Sequence, residues 1–135
     1  QAPDAETVRE AASRLKQAKK PVILAGRASR EVEPWKARVS IAEVIGAKVI
    51  TDMKIGASFP TDHPLHVGSP GMLLPDGEGL EALAAADVIL SLDWVDLGGT
   101  LKAGGSITAR LAGSAPMRDN VPMAWDLRFN LPLSK

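Results

Sequence analysis

Two aspartates, Asp93 and Asp96, stand three apart in the stretch SLDWVDLGG. Two carboxylates on one loop can divide acid and base roles or hold a hard cation. The same residues also brace loops and cap helices, which is the commoner use. His63 and His66 stand three apart in TDHPLHVG. On a helix that spacing makes a metal pair. Here Pro64 lies between them and no third ligand is evident, so a structural loop is the expected reading. Arg27, in GRAS, is a candidate holder of a phosphate or carboxylate, or a solvent-facing loop residue. Ser29, Ser58 and Ser69 have no visible His/Asp partners. No GxSxG elbow and no phosphate-cradling P-loop occur. These residues do not amount to a complete catalytic set, so neither catalytic residues nor a metal site are expected in this chain.

The elements that would position these residues are readable from periodicity. Residues 4–19 read as a helix, with Pro3 and Asp4 where an N-cap belongs, Glu6 in the first turn and Val8, Ala11, Ala12 and Leu15 at helical spacing. Lys16, Lys19 and Lys20 gather at its C-terminal end, and Pro21 stops it. Residues 22–25 form a short, wholly apolar run, as in strands buried on both faces of a parallel sheet. A second helix is expected over 33–45, with Trp35, Val39, Ala42 and Ile45 facing inward and Gly46 ending it. Residues 48–51 and 88–92 (KVIT and VILSL) read as strands, and 77–86 as a third helix. Strands alternating with helices imply a parallel sheet with right-handed crossovers. Residues 103–135 are rich in small residues and proline, with weak periodicity. A strand is compatible with 106–111, and 120–135 has no assignable element.

In such a sheet, ligands bind beyond the carboxyl ends of the strands. Three loops leave those ends. They carry Gly26 and Arg27; Thr51, Asp52 and Lys54; and Asp93 and Asp96. Glycines there let backbone N–H groups approach a phosphate. The candidate is a crevice for an adenine nucleotide such as ADP, FAD or NAD. The alternative is a set of tight turns, because GRAS lacks the full GxGxxG fingerprint.

Composition sets outer limits. The chain has 135 residues, enough for one domain, with 45% hydrophobic and 24% charged residues. Lys plus Arg and Asp plus Glu number 16 each, so the basic excess of a nucleic-acid binder is missing. There is no cysteine, which excludes disulfides, thiolate metal sites and a cysteine nucleophile, and suits a reducing, cytoplasmic setting. No apolar run approaches the roughly 20 residues of a membrane span, and no signal peptide is visible. The expectation is therefore neither a nucleic-acid nor a membrane partner.

Three motifs in combination carry a family resemblance. Ala18, Pro21, Val22, Ile23, Leu24, Ala25 and Gly26 satisfy A-x-x-P-V-I-L-A-G. Phe59, Pro60, Asp62, His63, Pro64, Leu65 and Gly68 satisfy F-P-x-D-H-P-L-x-x-G. Residues 86–90 read A-D-V-I-L. Together they resemble the middle domain of thiamine-diphosphate-dependent enzymes, the family of acetolactate synthase, pyruvate oxidase, benzoylformate decarboxylase and oxalyl-CoA decarboxylase. The resemblance covers about residues 4–102.

The resemblance implies a Rossmann-like (DHS-like) open parallel sheet of about six strands with helices on both faces. It implies a parent enzyme that uses thiamine diphosphate and Mg2+ as a lyase or carboligase on a 2-keto acid or acyl-CoA. The parent would supply separate pyrimidine- and diphosphate-binding domains and assemble as a dimer or tetramer. The activating glutamate and the GDG…N metal motif belong to those other domains and have no counterpart here, so this domain alone is expected to be inactive. Some members hold FAD or ADP across the strand ends, at positions matching Gly26, Arg27, Thr51, Asp52, Lys54, Asp93 and Asp96. The FAD-binding members carry a glycine and an arginine in the third loop, where this chain has Ser91 and Asp93. An aspartate there disfavours a pyrophosphate. A second departure is the lack of the family's V-I-x-I-D-x-D strand after Lys102, which would leave a sheet edge open. The competing expectation is a stand-alone adenine-nucleotide binding module.

Overall fold

The computed structural model describes residues 4–69, 77–95, 97, 99 and 100, and the backbone of 123–126 and 131–132. The elements run α1 (Ala5–Gln17), β1 (Pro21–Ala25), α2 (Val32–Ile45), β2 (Lys48–Thr51), α3 (Gly77–Ala85), β3 (Val88–Leu92), β4 (Met123–Asp126) and β5 (Leu131–Pro132).

Helix α1 starts where its cap requires. The Asp4 carboxylate accepts from the Thr7 amide at 2.8 Å and from the Thr7 hydroxyl at 3.1 Å, which satisfies an amide that has no partner within the helix. Helix α2 ends on Gly46, whose φ of 65° and ψ of 32° are left-handed. Glycine takes that conformation without a steric penalty.

The sheet order is β2-β1-β3-β4-β5. The first four strands are parallel and β5 is antiparallel to β4. From β1 the chain moves to β2 on one side and then returns to β3 on the other. The order thus reverses between β1 and β3, and the two crossover helices lie on opposite faces. Side-chain alternation in β1 shows this. Val22 and Leu24 pack with Ile50, Ile89 and Leu83 of α3. Ile23 and Ala25 pack with Val49, Leu90, Leu15 of α1 and Ala42 of α2. All five residues of β1 are buried, as its unbroken apolar run predicts. The α/β class, the open parallel sheet and the helices on both faces agree with the sequence reading.

Three findings differ from it. The strand beside β3 that the sequence did not disclose is present as β4, with Val88 to Ser91 in register with Met123 to Asp126. Its four residues, MAWD, are too short a stretch to mark a strand by pattern, and its place comes from pairing with the open edge of β3. That edge is therefore covered, contrary to expectation. The described sheet has five strands rather than about six, although residues 65–69 add a strand-like edge beside β2. Val49 donates to Leu65 O at 2.8 Å and accepts from Val67 N at 2.9 Å, and Thr51 N donates to Gly68 O at 3.1 Å. Finally, the inner face of α2 includes Arg38, 7% exposed, and not only apolar residues. The possible strand over 106–111 lies outside the described residues. Among the described residues, no helix is long and apolar enough to cross a membrane.

Candidate functional site at the strand ends

The loop after β1 lies at the centre of the carboxyl end of the sheet, and both neighbouring loops are tied to it through backbone. On the β3 side, Gly26 N donates to Leu92 O and Arg27 N donates to Asp93 O, each at 3.0 Å. On the β2 side, Asp52 N donates to Ala25 O at 3.2 Å. The β3 loop approaches so closely that a Cβ on Gly26 would meet Asp93 O and C, and would lie 2.7 Å from Trp94 Cα. Gly26 therefore serves close backbone packing between two loops of this chain.

The side chains repeat that closure. A guanidinium nitrogen of Arg27 donates to the Asp93 carboxylate at 3.2 Å. Asp93 has a φ of 53°, a left-handed conformation in which aspartate is among the better tolerated residues. The turn aims its carboxylate at Arg27. Trp94 follows, 4% exposed, and its indole N–H donates to the Thr100 hydroxyl at 2.8 Å.

The β2 end carries a second polar group. The Thr51 hydroxyl lies 2.9 Å from His66 Nε2 and 2.7 Å from the Ser69 hydroxyl. Asp52 caps its own loop: its carboxylate accepts from Lys54 N at 2.8 Å and its carbonyl from Ile55 N at 3.1 Å. Lys54 is exposed. The structure thus brings Gly26, Arg27, Thr51, Asp52, Lys54 and Asp93 to one end of the sheet. Asp96 lies outside the described residues.

The two histidines part company. His63 Nδ1 accepts from Leu65 N at 3.1 Å, which places the proton of the neutral ring on Nε2, and that nitrogen lies 2.9 Å from a Glu43 carboxylate oxygen. Its ring also meets Phe59 edge-on, with centroids 5.2 Å apart. His66 instead turns to Thr51. Each ring is committed to a different neighbour, so the i, i+3 spacing makes no metal pair.

Two functional-looking residues escaped the sequence reading. Arg38 Nε donates to Ser58 O at 2.8 Å, and a terminal guanidinium nitrogen donates to Ser29 O at 2.6 Å. It links the loop after β1 to the loop after β2. Burial lowers its pKa from the ordinary arginine value. Asp87 accepts from the amides of Lys19 and Lys20 at 2.7 and 2.9 Å. It fixes the start of β1 at the opposite end of the sheet.

The donor chemistry of this end can be set against the groups that the fold suggests. Among the described residues no three His, Asp or Glu side chains are grouped to hold a metal ion. The Gly26, Arg27 and Ala28 amides all donate to backbone carbonyls of this chain. A phosphate cradle needs such amides available. Neither Mg2+ with a diphosphate nor an adenine dinucleotide finds its usual donors among these residues.

Comparison with known proteins decides the relationship. Residues 8–94 match the family described as thiamine pyrophosphate enzyme, central domain. The chain belongs to that family. It is 37% identical over 89 residues to a sulfoacetaldehyde acetyltransferase of Roseovarius nubinhibens, covering 64% of this chain and 14% of that protein. It is 33% identical over 70 residues to an acetolactate synthase large subunit of Corynebacterium glutamicum, covering 52% of this chain and 11% of that one. A solved structure from Mycobacterium smegmatis, assigned as a thiamin diphosphate-dependent enzyme, superposes with a TM-score of 0.53 at 34% identity, over 67% of this chain and 17% of that one. The chain thus spans less than a fifth of each of these relatives. The family match begins in α1 and ends at Trp94, so it takes in α1, β1, α2, β2, α3, β3 and the Gly26–Asp93 closure.

Proposed function

We propose that this chain is the non-catalytic central domain of a thiamine-diphosphate- and Mg2+-dependent enzyme, a lyase or carboligase of the decarboxylase and acetolactate synthase kind. Its part is architectural. It spaces the pyrimidine- and diphosphate-binding domains of the same parent, supports a cytoplasmic homo-oligomer, and keeps at its strand ends a vestige of a nucleotide crevice. The observation that carries this reading is the pairing of a central-domain match over residues 8–94 with strand-end amides that bond to their own chain. Thiamine diphosphate and Mg2+, when bound in the parent, supply the carbanion chemistry. This chain's residues hold the loops, the sheet and the spacing.

The competing reading, a stand-alone ADP, FAD or NAD module, rests on fold analogy, and the Arg27–Asp93 pair speaks against it. Two measurements test the proposal. The coding sequence on either side should encode pyrimidine- and diphosphate-binding domains, and their absence would overturn it. Calorimetric titration of the chain with thiamine diphosphate and Mg2+ should show no saturable binding. Tight binding would place the cofactor site in this domain and refute the division of labour.

A further inference from the structure

The reversal of strand order between β1 and β3 is where an open α/β sheet ordinarily leaves a crevice for an anionic ligand. Here the cationic side chain of Arg27 stands at that point, and the carboxylate of Asp93 stands 3.2 Å from it. Both belong to loops leaving the two strands that flank the reversal. The Arg27 side chain is half-exposed and the Asp93 side chain three-quarters covered, so the carboxylate is the inner member of the pair. Asp93 reaches it only because its backbone is left-handed, a conformation in which glycine would be easier.

We propose that Asp93 is a resident counter-anion, which occupies the anion position at Arg27 and sets the specificity of the strand-end crevice by excluding diphosphates. This rests on reading the crevice as a vestigial nucleotide site. It adds a side-chain contribution to the loss of that site, beside the backbone bonds at Gly26 and Arg27, and makes that contribution reversible. With Asp93 ionised, an incoming phosphate meets a like charge in a partly desolvated place and must compete for a guanidinium already paired. With the charge removed, Arg27 keeps its planar donor fork and, among the described residues, has no other ion-pair partner.

Asp93→Asn and Asp93→Gly both suit the left-handed φ, so each removes the charge without adding backbone strain. The probes are ADP and inorganic pyrophosphate, titrated calorimetrically at low salt into the wild-type chain, D93N, D93G and the double variant D93N/R27Q. Cooperative melting of each variant is checked first. Both single variants should bind both anions at least about tenfold more tightly than wild type, which is ~1.4 kcal/mol. The double variant should return to the wild-type level. Folded D93N and D93G that bind no better than wild type overturn the proposal. So does wild-type protein that already binds as well as D93N, or a gain that survives loss of Arg27. Binding of ADP without pyrophosphate overturns the anion assignment, since the shared diphosphate would then not be the recognised group. None of these outcomes alters the domain assignment, which the flanking coding sequence decides separately.

Discussion

Arg38 and Ser58 are joined by a buried hydrogen bond, guanidinium Nε to backbone carbonyl at 2.8 Å, across 20 residues of sequence. With the 2.6 Å bond to Ser29 O, the bond makes one helical side chain the clamp between two strand-end loops. A buried cation is costly unless hydrogen-bonded, and here backbone carbonyls supply the bonds. Charged hydrogen bonds of this kind contribute about 1.5–3 kcal/mol each. Arg38→Ala is therefore expected to lose about 3–5 kcal/mol of unfolding free energy by urea titration. Arg38→Lys should recover only part of it, because an ammonium lacks the fork that reaches both carbonyls. A loss below about 1 kcal/mol in R38A would show that the clamp is dispensable. The lowered pKa has a defined sign. A cation whose folded pKa is depressed opposes folding below that pKa, and the opposition is relieved only as pH rises through it. That window lies in the strongly alkaline range, so Arg38 should add no slope to stability between pH 5 and 9, in rough terms.

Gly26 gives a sharper steric test. An added Cβ meets the backbone of Asp93 and Trp94, and backbone cannot swing aside as a flexible side chain can. Gly26→Ala should destabilise by about 1–3 kcal/mol or more, the range for overpacking. It should also displace the β3 loop, read as a changed fluorescence maximum of the tryptophans, Trp94 being buried there. A G26A protein with unchanged urea midpoint and spectrum would mean that the two loops are not in contact.

Asp87 closes the other end of the sheet. It receives two amides at the start of β1, and its own amide donates to Lys20 O at 3.2 Å. Asp87→Ala leaves both amides to water at an exposed position, so the expected loss is about 1–3 kcal/mol. Asp87→Asn keeps one acceptor and should cost roughly half as much. Equal losses for the two variants would point to the charge rather than to the paired geometry.

What was legible in the sequence follows physical lines. Strands β1, β2 and β3 were visible because burial on both faces demands apolar runs. Helix α1 was visible from Asp4, and the end of α2 from Gly46. Arg38 was not, although it lies three residues after Trp35 and four before Ala42, on the same stripe. Its type argued for solvent, and only the carbonyls of Ser29 and Ser58, brought close by folding, make its burial affordable. Strand β4 was hidden for a related reason: MAWD is only four residues long and takes its place from β3. The candidate crevice was legible as a gathering of loops. Its closure was not, since the Gly26 and Arg27 amides meet partners some 66 residues away in the chain.

Ser91 supplies the last test, and its expected sign is opposite to the others. It lies in β3 in register with Leu24 of β1 and is fully buried, and among the described residues its hydroxyl has no hydrogen-bond partner. An unsatisfied buried hydroxyl costs about 1–3 kcal/mol of desolvation. Replacing it with a methyl-sized group removes that cost and leaves only a small void. Ser91→Ala should therefore be neutral or stabilising, by about 0–1 kcal/mol, with an unchanged denaturant slope. Ser91→Val puts one methyl in place of the hydroxyl and adds a second to a packed sheet, which tests room rather than polarity; it should be less favourable than alanine by about 1 kcal/mol or more. A clear loss of stability in S91A would show that the hydroxyl is satisfied in solution, by a bound water or by a neighbour that rotates to meet it. The absence of any such loss, beside a large one in R38A, would separate a buried polar group that holds this domain together from one that it merely tolerates.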